Sequence, residues 1–160
     1  MIHLRTLDDA LALKGRLSGR IAIIGAGWIG LEVASAARQA GAEVTVFESA
    51  ALPLQRVLGE QLGTVFADLH RAHGVDVRTG VQVSEVRTGG DGLVAAVVLG
   101  DGTQLEADAV VVGIGVTPRT TLAEHSGLAV DDGVLVDAQL RSADPDVYAV
   151  GDLARAEHPF

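Results

Sequence analysis

Three segments with different apolar patterns follow one another between residues 20 and 48. The unbroken apolar run Ile21–Ile24 predicts a strand buried on both faces. A glycine-rich turn, Gly25–Gly30, follows it and opens an alanine-rich stretch that predicts a helix to about Ala40. Residues 43–48, rich in β-branched and aromatic residues, predict a second strand. Together these segments predict one right-handed βαβ unit of about 30 residues.

A second helix is predicted from about Gly59 to His73, where Gly74 stops it. Large apolar residues recur along it at helical spacing, which predicts that one face is buried against the sheet. The residues expected on this buried face are Leu62, Val65, Phe66 and Leu69.

Glycine and aspartate turns divide the next segment into short strands. The turns at residues 89–92 and 100–102 are typical of an antiparallel meander. Its strands are expected near residues 81–87, 93–99 and 103–106, and the apolar run 109–113 returns as a further buried strand. We therefore predict an α/β fold: a Rossmann-type, three-layer NAD-binding domain with a parallel sheet and an antiparallel meander crossing one face.

The periodicity also suggests how the chain is divided. Residues 1–19 form a lead-in segment with a capping pattern at Thr6 ahead of a short helix. Residues 20–117 form the predicted nucleotide domain. After Pro118 the pattern loosens into short strands, so residues 118–160 are assigned to a separate segment.

Composition excludes several classes of function. The 160 residues contain no cysteine, which excludes disulfide scaffolds, cysteine zinc sites and dithiol redox motifs. The formal charge is −9 and Lys14 is the single lysine, so a nucleic acid would be repelled. No apolar run reaches the length of a signal peptide or a membrane span, and a cytoplasmic protein is expected.

The glycine turn has a physical reason at each position. Gly25 permits the tight turn after the strand, Gly27 lets the backbone approach a pyrophosphate, and Gly30 lets the helix pack closely on the strand. The helix N-terminus then offers N–H groups to the phosphates. The alternative is a structural glycine turn that binds no ligand.

Glu48 ends the second strand, 18 residues after Gly30, near the spacing at which a carboxylate binds the adenosine ribose hydroxyls. It would repel a 2′-phosphate, and the next arginine along the chain is Arg56. NAD(H) is therefore expected rather than NADP(H). The alternative is a solvated glutamate at a strand end.

Three motifs in order resemble the FAD-dependent pyridine nucleotide-disulfide reductase superfamily: residues 25–32, 113–118 and 147–152. Within it the chain is most similar to the ferredoxin reductase branch that serves bacterial oxygenases, including residues 4–10 and 56–59. The absence of cysteine fits this branch and excludes the dithiol branch.

The resemblance implies an enzyme in which NADH passes hydride to FAD, and FAD passes single electrons to a 2Fe-2S ferredoxin. The family begins with another βαβ fingerprint for FAD and ends in an interface domain, and this sequence contains neither. We therefore expect the NADH-binding part of a larger enzyme, with residues 118–160 returning to an incomplete FAD domain. The chain alone is expected to bind NADH without turnover and without retaining FAD.

The resemblance also implies roles for residues of the first helix. The glutamate matching Glu32 positions the nicotinamide carboxamide, and it is the residue assigned to catalysis. Trp28 matches an aromatic position that shields the flavin face, and Ile29 is counted with the cofactor-binding residues. The alternatives are an ordinary surface glutamate for Glu32 and plain hydrophobic packing for Trp28.

Two later motifs complete the implied site. Gly113, Ile114 and Gly115 let the backbone run close to the nicotinamide half; the alternative is a domain hinge, and the two roles are compatible. Asp152 is implied to accept a hydrogen bond from an FAD ribityl hydroxyl, and its alternative is an ordinary helix N-cap.

Other functions were weighed on the same residues. A short-chain dehydrogenase needs a tyrosine four residues before a lysine, and Tyr148 and Lys14 exclude that arrangement. His70 and His73 share a helix face near Asp68, but no further ligand cluster is evident, so no metal site is predicted. A non-catalytic NAD-sensing module remains the open alternative, although Glu32 and the Gly113 motif favour the redox interpretation.

Overall fold

Two compact units, Met1–Gly115 and Val116–Phe160, make up the computed structural model, which describes residues 2–90 and 92–156. The helices are α1 (Leu7–Lys14), α2 (Trp28–Gln39), α3 (Gln55–Ala72) and α4 (Thr121–His125). The strands are β1 (Ile2–His3), β2 (Arg20–Ile24), β3 (Glu43–Glu48), β4 (Val75–Thr79), β5 (Val83–Thr88), β6 (Val94–Leu99), β7 (Gln104–Glu106), β8 (Ala109–Val112), β9 (Val134–Val136) and β10 (Ala154–Ala156).

The first unit has three layers around a parallel sheet in the order β1-β8-β2-β3-β4. Ile21 and Ile23 of β2 are buried in the core shared with the helices, whereas Ala22 lies in the core shared with the meander. The meander β5-β6-β7 is antiparallel. The predicted parallel sheet and antiparallel meander are therefore confirmed.

The lead-in segment also folds as its capping pattern predicts. Thr6 and Asp9 form a reciprocal capping box at the start of α1, with the Asp9 N–H donating to Thr6 Oγ1 at 3.2 Å. The Thr6 N–H donates in return to Asp9 Oδ2 at 2.8 Å. Met1 and residues 157–160, at the two ends of the predicted segments, lie outside the described residues, as does Asp91 of the predicted turn at residues 89–92.

The prediction omitted strand β4, which extends the sheet beside β3. Val75 and Val77 are buried in the helix-side core, whereas Asp76 is exposed and Arg78 is partly exposed. This alternation is what a sheet-edge strand with one buried face requires. With two charged residues among its five, β4 lacks the continuous apolar run by which β2 was recognised.

The predicted buried face of α3 is wrong. Leu62, Val65 and Leu69 are about half exposed, and only Phe66 among the four packs partly against the core. The buried positions of the helix are instead the small residues Gly63 and Ala67, and Gly63 packs on the loop residues Leu52 and Pro53. The helix spans Gln55–Ala72, but Gly59, with φ +74° and ψ −174°, divides it into two helical segments, and the second starts at the predicted position.

The second unit is small and has its own core of Val134, Val136 and Ala149. Its strands β9 and β10 pair in parallel, and α4 was not predicted from the sequence. Assignment of residues 20–117 to a nucleotide domain and residues 118–160 to an FAD domain remains a prediction.

Candidate nucleotide-binding site

The turn between β2 and α2 requires glycine at its first position. Gly25 is buried with φ +101°, and its N–H donates to the carbonyl oxygen of Phe47 at 2.8 Å. A Cβ at this position would lie 2.4 Å from the carbonyl oxygen of Gly113. The end of β2 thus packs backbone against backbone on the segment that follows β8.

Gly30 has an equally strict steric requirement. A Cβ there would lie 2.0 Å from the carbonyl oxygen of Gly25, because the first turn of α2 packs directly on the glycine turn. Gly25 and Gly30 are therefore required by the fold itself, whatever the site binds.

Gly27 differs from both of them. Its φ of −79° suits any residue, and the nearest atom to an added Cβ would be the Gly113 oxygen at 3.9 Å. Gly27 is the N-cap of α2, where the N–H groups of the first turn lack partners within the helix. The absent side chain leaves open space at a positive helix terminus.

The carboxylate of Glu48 is held at the same edge of the sheet. The Ala26 N–H donates to Glu48 Oε2 at 2.7 Å, and the Ala50 N–H donates to Glu48 Oε1 at 2.8 Å. The residue is partly buried. The Ser49 hydroxyl also donates to Oε1 at 3.3 Å, whereas Oε2 accepts only the Ala26 N–H and keeps a lone pair that can accept a ribose hydroxyl.

Gly113, Ile114 and Gly115 lie beyond the carboxyl end of β8, beside the glycine turn. The Gly113 N–H donates to the Ile24 oxygen at 2.8 Å, and a Cβ at Gly113 would make only ordinary contacts, the nearest at 3.5 Å. Gly115 has φ +142°, which favours glycine, and Ile114 is 77% exposed. The structure thus brings the predicted residues Gly25, Gly27 and Gly113 together.

Helix α2 places its predicted residues on different faces. Trp28 is 48% exposed and makes an edge-to-face contact with Phe66 of α3, with ring centroids 5.7 Å apart. Ile29 is partly buried and packs against the helix-side core, whereas Glu32 is exposed. Ile29 therefore contributes packing, and Trp28 leaves half of its surface available.

Asp152 lies in the second unit, in the 3-10 turn Gly151–Leu153, and is exposed. Gly151 before it has φ +65°, a conformation that favours glycine. The role of Asp152 toward FAD remains a prediction.

The histidine pair on α3 is accounted for by local contacts. His73 Nδ1 lies 2.8 Å from the Leu69 oxygen, and partial burial, with His73 beside it, lowers the pKa of His70. Over residues 2–90 and 92–156, no three His, Asp or Glu side chains come together as a metal site.

Within that same part of the chain no helix is long and apolar enough to cross a membrane.

Sequence reasoning missed the backbone groups that shape the turn. Besides the N–H groups of Ala26 and Ala50, the Leu54 N–H donates to the Ala26 oxygen at 3.1 Å. Alanine and leucine carry no chemical signal, so no motif could identify them.

Comparison with known proteins identifies the class. Residues 1–159 match the model of the pyridine nucleotide-disulphide oxidoreductase family, and this chain belongs to that family. It is 43% identical over 156 residues to putidaredoxin reductase of Pseudomonas putida and 42% identical over 154 residues to rhodocoxin reductase of Rhodococcus erythropolis. The predicted resemblance to ferredoxin reductases is confirmed.

Comparison with solved structures identifies the same class of protein. The fold matches the ferredoxin reductase for the CYP199A2 system of Rhodopseudomonas palustris with a TM-score of 0.88 at 40% identity over 98% of this chain. It matches the covalent putidaredoxin reductase–putidaredoxin complex with a TM-score of 0.89 at 42% identity, again over 98% of the chain. These relatives are oxidoreductases by name, which does not favour the NAD-sensing alternative.

This chain matches only a part of the length of each relative. The chain covers 37% of putidaredoxin reductase, 36% of rhodocoxin reductase and 39% of the Rhodopseudomonas palustris enzyme. It therefore spans less than two fifths of the length of these proteins.

Proposed function

We propose that this chain is the NADH-binding part of a flavoprotein ferredoxin reductase. In the complete protein, NADH supplies a hydride to FAD, and the electrons pass singly to a 2Fe-2S ferredoxin. The names of the relatives, among them a reductase in complex with putidaredoxin, support this class of acceptor. The residues of this chain position the nicotinamide for transfer, since hydride transfer itself requires no general acid or base.

The observation that carries the proposal is a pair of neighbouring glycines that the fold does not require. Steric contacts account for Gly25 and Gly30, but a Cβ at Gly27 or at Gly113 would meet nothing closer than 3.5 Å. Both lie where the backbone passes the N-terminus of α2. Open space beside helix N–H groups is what a pyrophosphate needs in order to approach the backbone.

Glu48 supports NADH over NADPH. Its carboxylate lies at the carboxyl end of β3 and is oriented by the Ala26 and Ala50 N–H groups. A carboxylate so placed accepts the ribose 2′-hydroxyl and repels a 2′-phosphate. The nucleotide therefore binds with its adenosine at Glu48 and its pyrophosphate at Gly27.

The remaining predicted residues are assigned to the nicotinamide half and to the flavin. We assign Glu32 to positioning of the nicotinamide, the exposed half of Trp28 to shielding of the flavin, and Asp152 to the FAD ribityl chain. The second unit contains only two paired parallel strands among its described residues. Parallel sheets this small are not stable alone, which supports their membership of a larger FAD-domain sheet.

The test begins with the visible spectrum of the purified 160-residue chain, followed by calorimetric titration with NADH and NADPH. We expect a colourless protein that binds NADH more tightly than NADPH. Stoichiometric flavin reduced by NADH would overturn the assignment of an incomplete FAD domain. Binding of neither nucleotide would overturn nucleotide binding by this chain.

In the complete protein, NADH should reduce both a bound flavin and a 2Fe-2S ferredoxin, and failure to do so overturns the reductase assignment.

A further inference from the structure

Ala26 is held on one side by the last residue of β3 and on the other by the segment that follows β3. Its N–H donates to Glu48 Oε2 at 2.7 Å, and its carbonyl oxygen accepts from the Leu54 N–H at 3.1 Å. That carbonyl belongs to the same peptide group as the Gly27 N–H. Because a trans peptide holds its N–H antiparallel to its C=O, the Leu54 contact fixes the direction in which the Gly27 N–H points.

Leu54 makes this contact from an unusual backbone conformation. Its φ of 53° and ψ of 14° are left-handed, a region that disfavours residues with a Cβ. The surrounding structure holds it there at two other points. Its side chain is 6% exposed in the helix-side core, and its carbonyl oxygen accepts from the Leu58 N–H at 2.9 Å at the start of α3. Strain maintained in this way is typical of functional sites.

We propose that Leu54 is a positioning residue for the dinucleotide pyrophosphate. Its left-handed backbone places its N–H on the Ala26 carbonyl, and this directs the Gly27 N–H toward the open space at the N-terminus of α2. The proposal rests on the nucleotide-binding function proposed above. It makes the glycine turn depend on the segment between β3 and α3, which directly follows the ribose-binding Glu48.

Two substitutions separate backbone positioning from core packing. Leu54→Ile keeps the size and apolar character of the side chain, but a β-branched residue resists positive φ. Leu54→Gly adopts positive φ freely, but it removes the side chain from the core. If Leu54 only packs, the glycine variant is the more damaged in every measurement. If Leu54 positions the turn, the isoleucine variant is the more damaged at the turn itself.

The first readout needs no nucleotide. Amide hydrogen exchange by NMR measures protection of the Ala26 N–H relative to the sheet amides of β3. We expect exchange at Ala26 to rise about tenfold more in Leu54→Ile than in Leu54→Gly, since only the former displaces the turn. The glycine variant is expected to have the lower melting temperature of the two.

The second readout is nucleotide affinity. We expect Leu54→Ile to weaken NADH about tenfold, the loss expected for one misdirected hydrogen bond to a phosphate. Affinity for adenosine, which lacks the pyrophosphate, should change less than twofold. Leu99→Ile is the matched control, because Leu99 is also 6% exposed but lies in β6, where β-branched residues fit. This control should bind NADH as the unmodified chain does.

These measurements distinguish a positioning role of Leu54 from a packing role. Leu54→Gly impaired as much as Leu54→Ile, in both exchange and NADH affinity, would overturn the positioning role. If Leu54→Gly does not fold, equal effects of Leu54→Ile and Leu99→Ile would overturn it as well. If the unmodified chain binds no NADH, the proposed function fails, and the exchange rates still decide whether the backbone conformation of Leu54 holds the glycine turn at Ala26.

Discussion

The carboxylate of Glu48 accepts the Ala26 N–H at 2.7 Å and thereby joins the end of β3 to the glycine turn in front of α2. In a nucleotide-binding protein of this kind the strand-end acid is expected to select the ribose. Here the same carboxylate also shapes the turn that lies beside the proposed pyrophosphate position. Cofactor preference and turn geometry are therefore coupled through one side chain, and substitutions at Glu48 should reveal both.

Substitution of Glu48 by glutamine should damage the turn even though the side-chain size is unchanged. Both carboxylate oxygens accept backbone N–H groups, from Ala26 and from Ala50. A glutamine has one oxygen, so its NH₂ group would face an N–H donor and leave it unpaired, at a cost of about 1–3 kcal/mol. We expect a lower melting temperature and about tenfold weaker NADH binding. Unchanged values for Glu48→Gln would show that these hydrogen bonds are dispensable.

Reversal of the charge at Glu48 tests cofactor preference. Glu48→Arg should weaken NADH and improve NADPH relative to it, because a guanidinium attracts the 2′-phosphate that a carboxylate repels. Titration with both nucleotides gives the ratio of the two affinities. Glu43→Arg makes the same charge change at the exposed start of β3 and serves as the control. An equal ratio in the two variants would remove Glu48 from the specificity role.

The chemical motifs were more accessible to sequence reasoning than the contacts that support them. Gly25, Gly30 and Glu48 were assigned from their types and spacing, because a tight turn, a close helix and a strand-end acid each demand a particular residue. Leu54 could not be assigned in this way. Its role comes from its backbone conformation and from one N–H, which any residue except proline can supply.

Gly27→Ala tests whether the open glycine serves a ligand. The added methyl group would meet only the Gly113 oxygen, at 3.9 Å, so the fold should be retained, with a melting temperature a few degrees lower because alanine is a poorer N-cap than glycine. NADH affinity should fall about tenfold or more, because the methyl group occupies the space proposed for the pyrophosphate.

Gly15→Ala is the matched control for that variant, since its φ is −70° and an added Cβ would also make only ordinary contacts, the nearest at 3.7 Å. It should leave NADH binding unchanged. NADH binding by Gly27→Ala at the unmodified affinity would contradict a pyrophosphate beside Gly27.

Gly30→Ala should instead damage the fold. Its Cβ would lie 2.0 Å from the Gly25 carbonyl oxygen, a backbone atom that cannot move without displacing the glycine turn. We expect destabilisation toward the upper end of the range of about 1–3 kcal/mol that overpacking usually causes. Urea unfolding measures it, and a stability within about 0.5 kcal/mol of the unmodified chain would show that α2 can shift away from β2.

The two errors in the predicted fold have a common physical origin. Strand β4 and the face of α3 were both misjudged because large apolar residues were taken as the indicator of burial. On α3 the buried Gly63 lies so close to the preceding loop that an added Cβ would be 2.8 Å from the Pro53 oxygen. Small residues allow such an approach and give no apolar signal. Periodicity therefore locates an element more reliably than it identifies the face that packs.

Stability at acid pH should depend on the contact between Arg20 and Asp108, which lie 88 positions apart in the chain. Two guanidinium nitrogens and the backbone N–H of Arg20 donate to the Asp108 carboxylate at 2.8–3.2 Å, and these contacts lower the pKa of Asp108 to about 2. Glu106 also pairs with Arg20. The contact ties the start of β2 to the segment entering β8.

A carboxyl group whose pKa is lower in the folded state stabilises the fold above its unfolded pKa of about 3.9, and this stabilisation is lost as the pH falls toward 2. Asp108→Asn should therefore lower the melting temperature at pH 6 by a few degrees, a small effect because the pair is half exposed to solvent. The difference from the unmodified chain should shrink between pH 5 and pH 2. Glu85→Gln is the control, because Glu85 pairs with Arg87 only two residues away on the same strand. A constant difference over this pH range would contradict the role of Asp108.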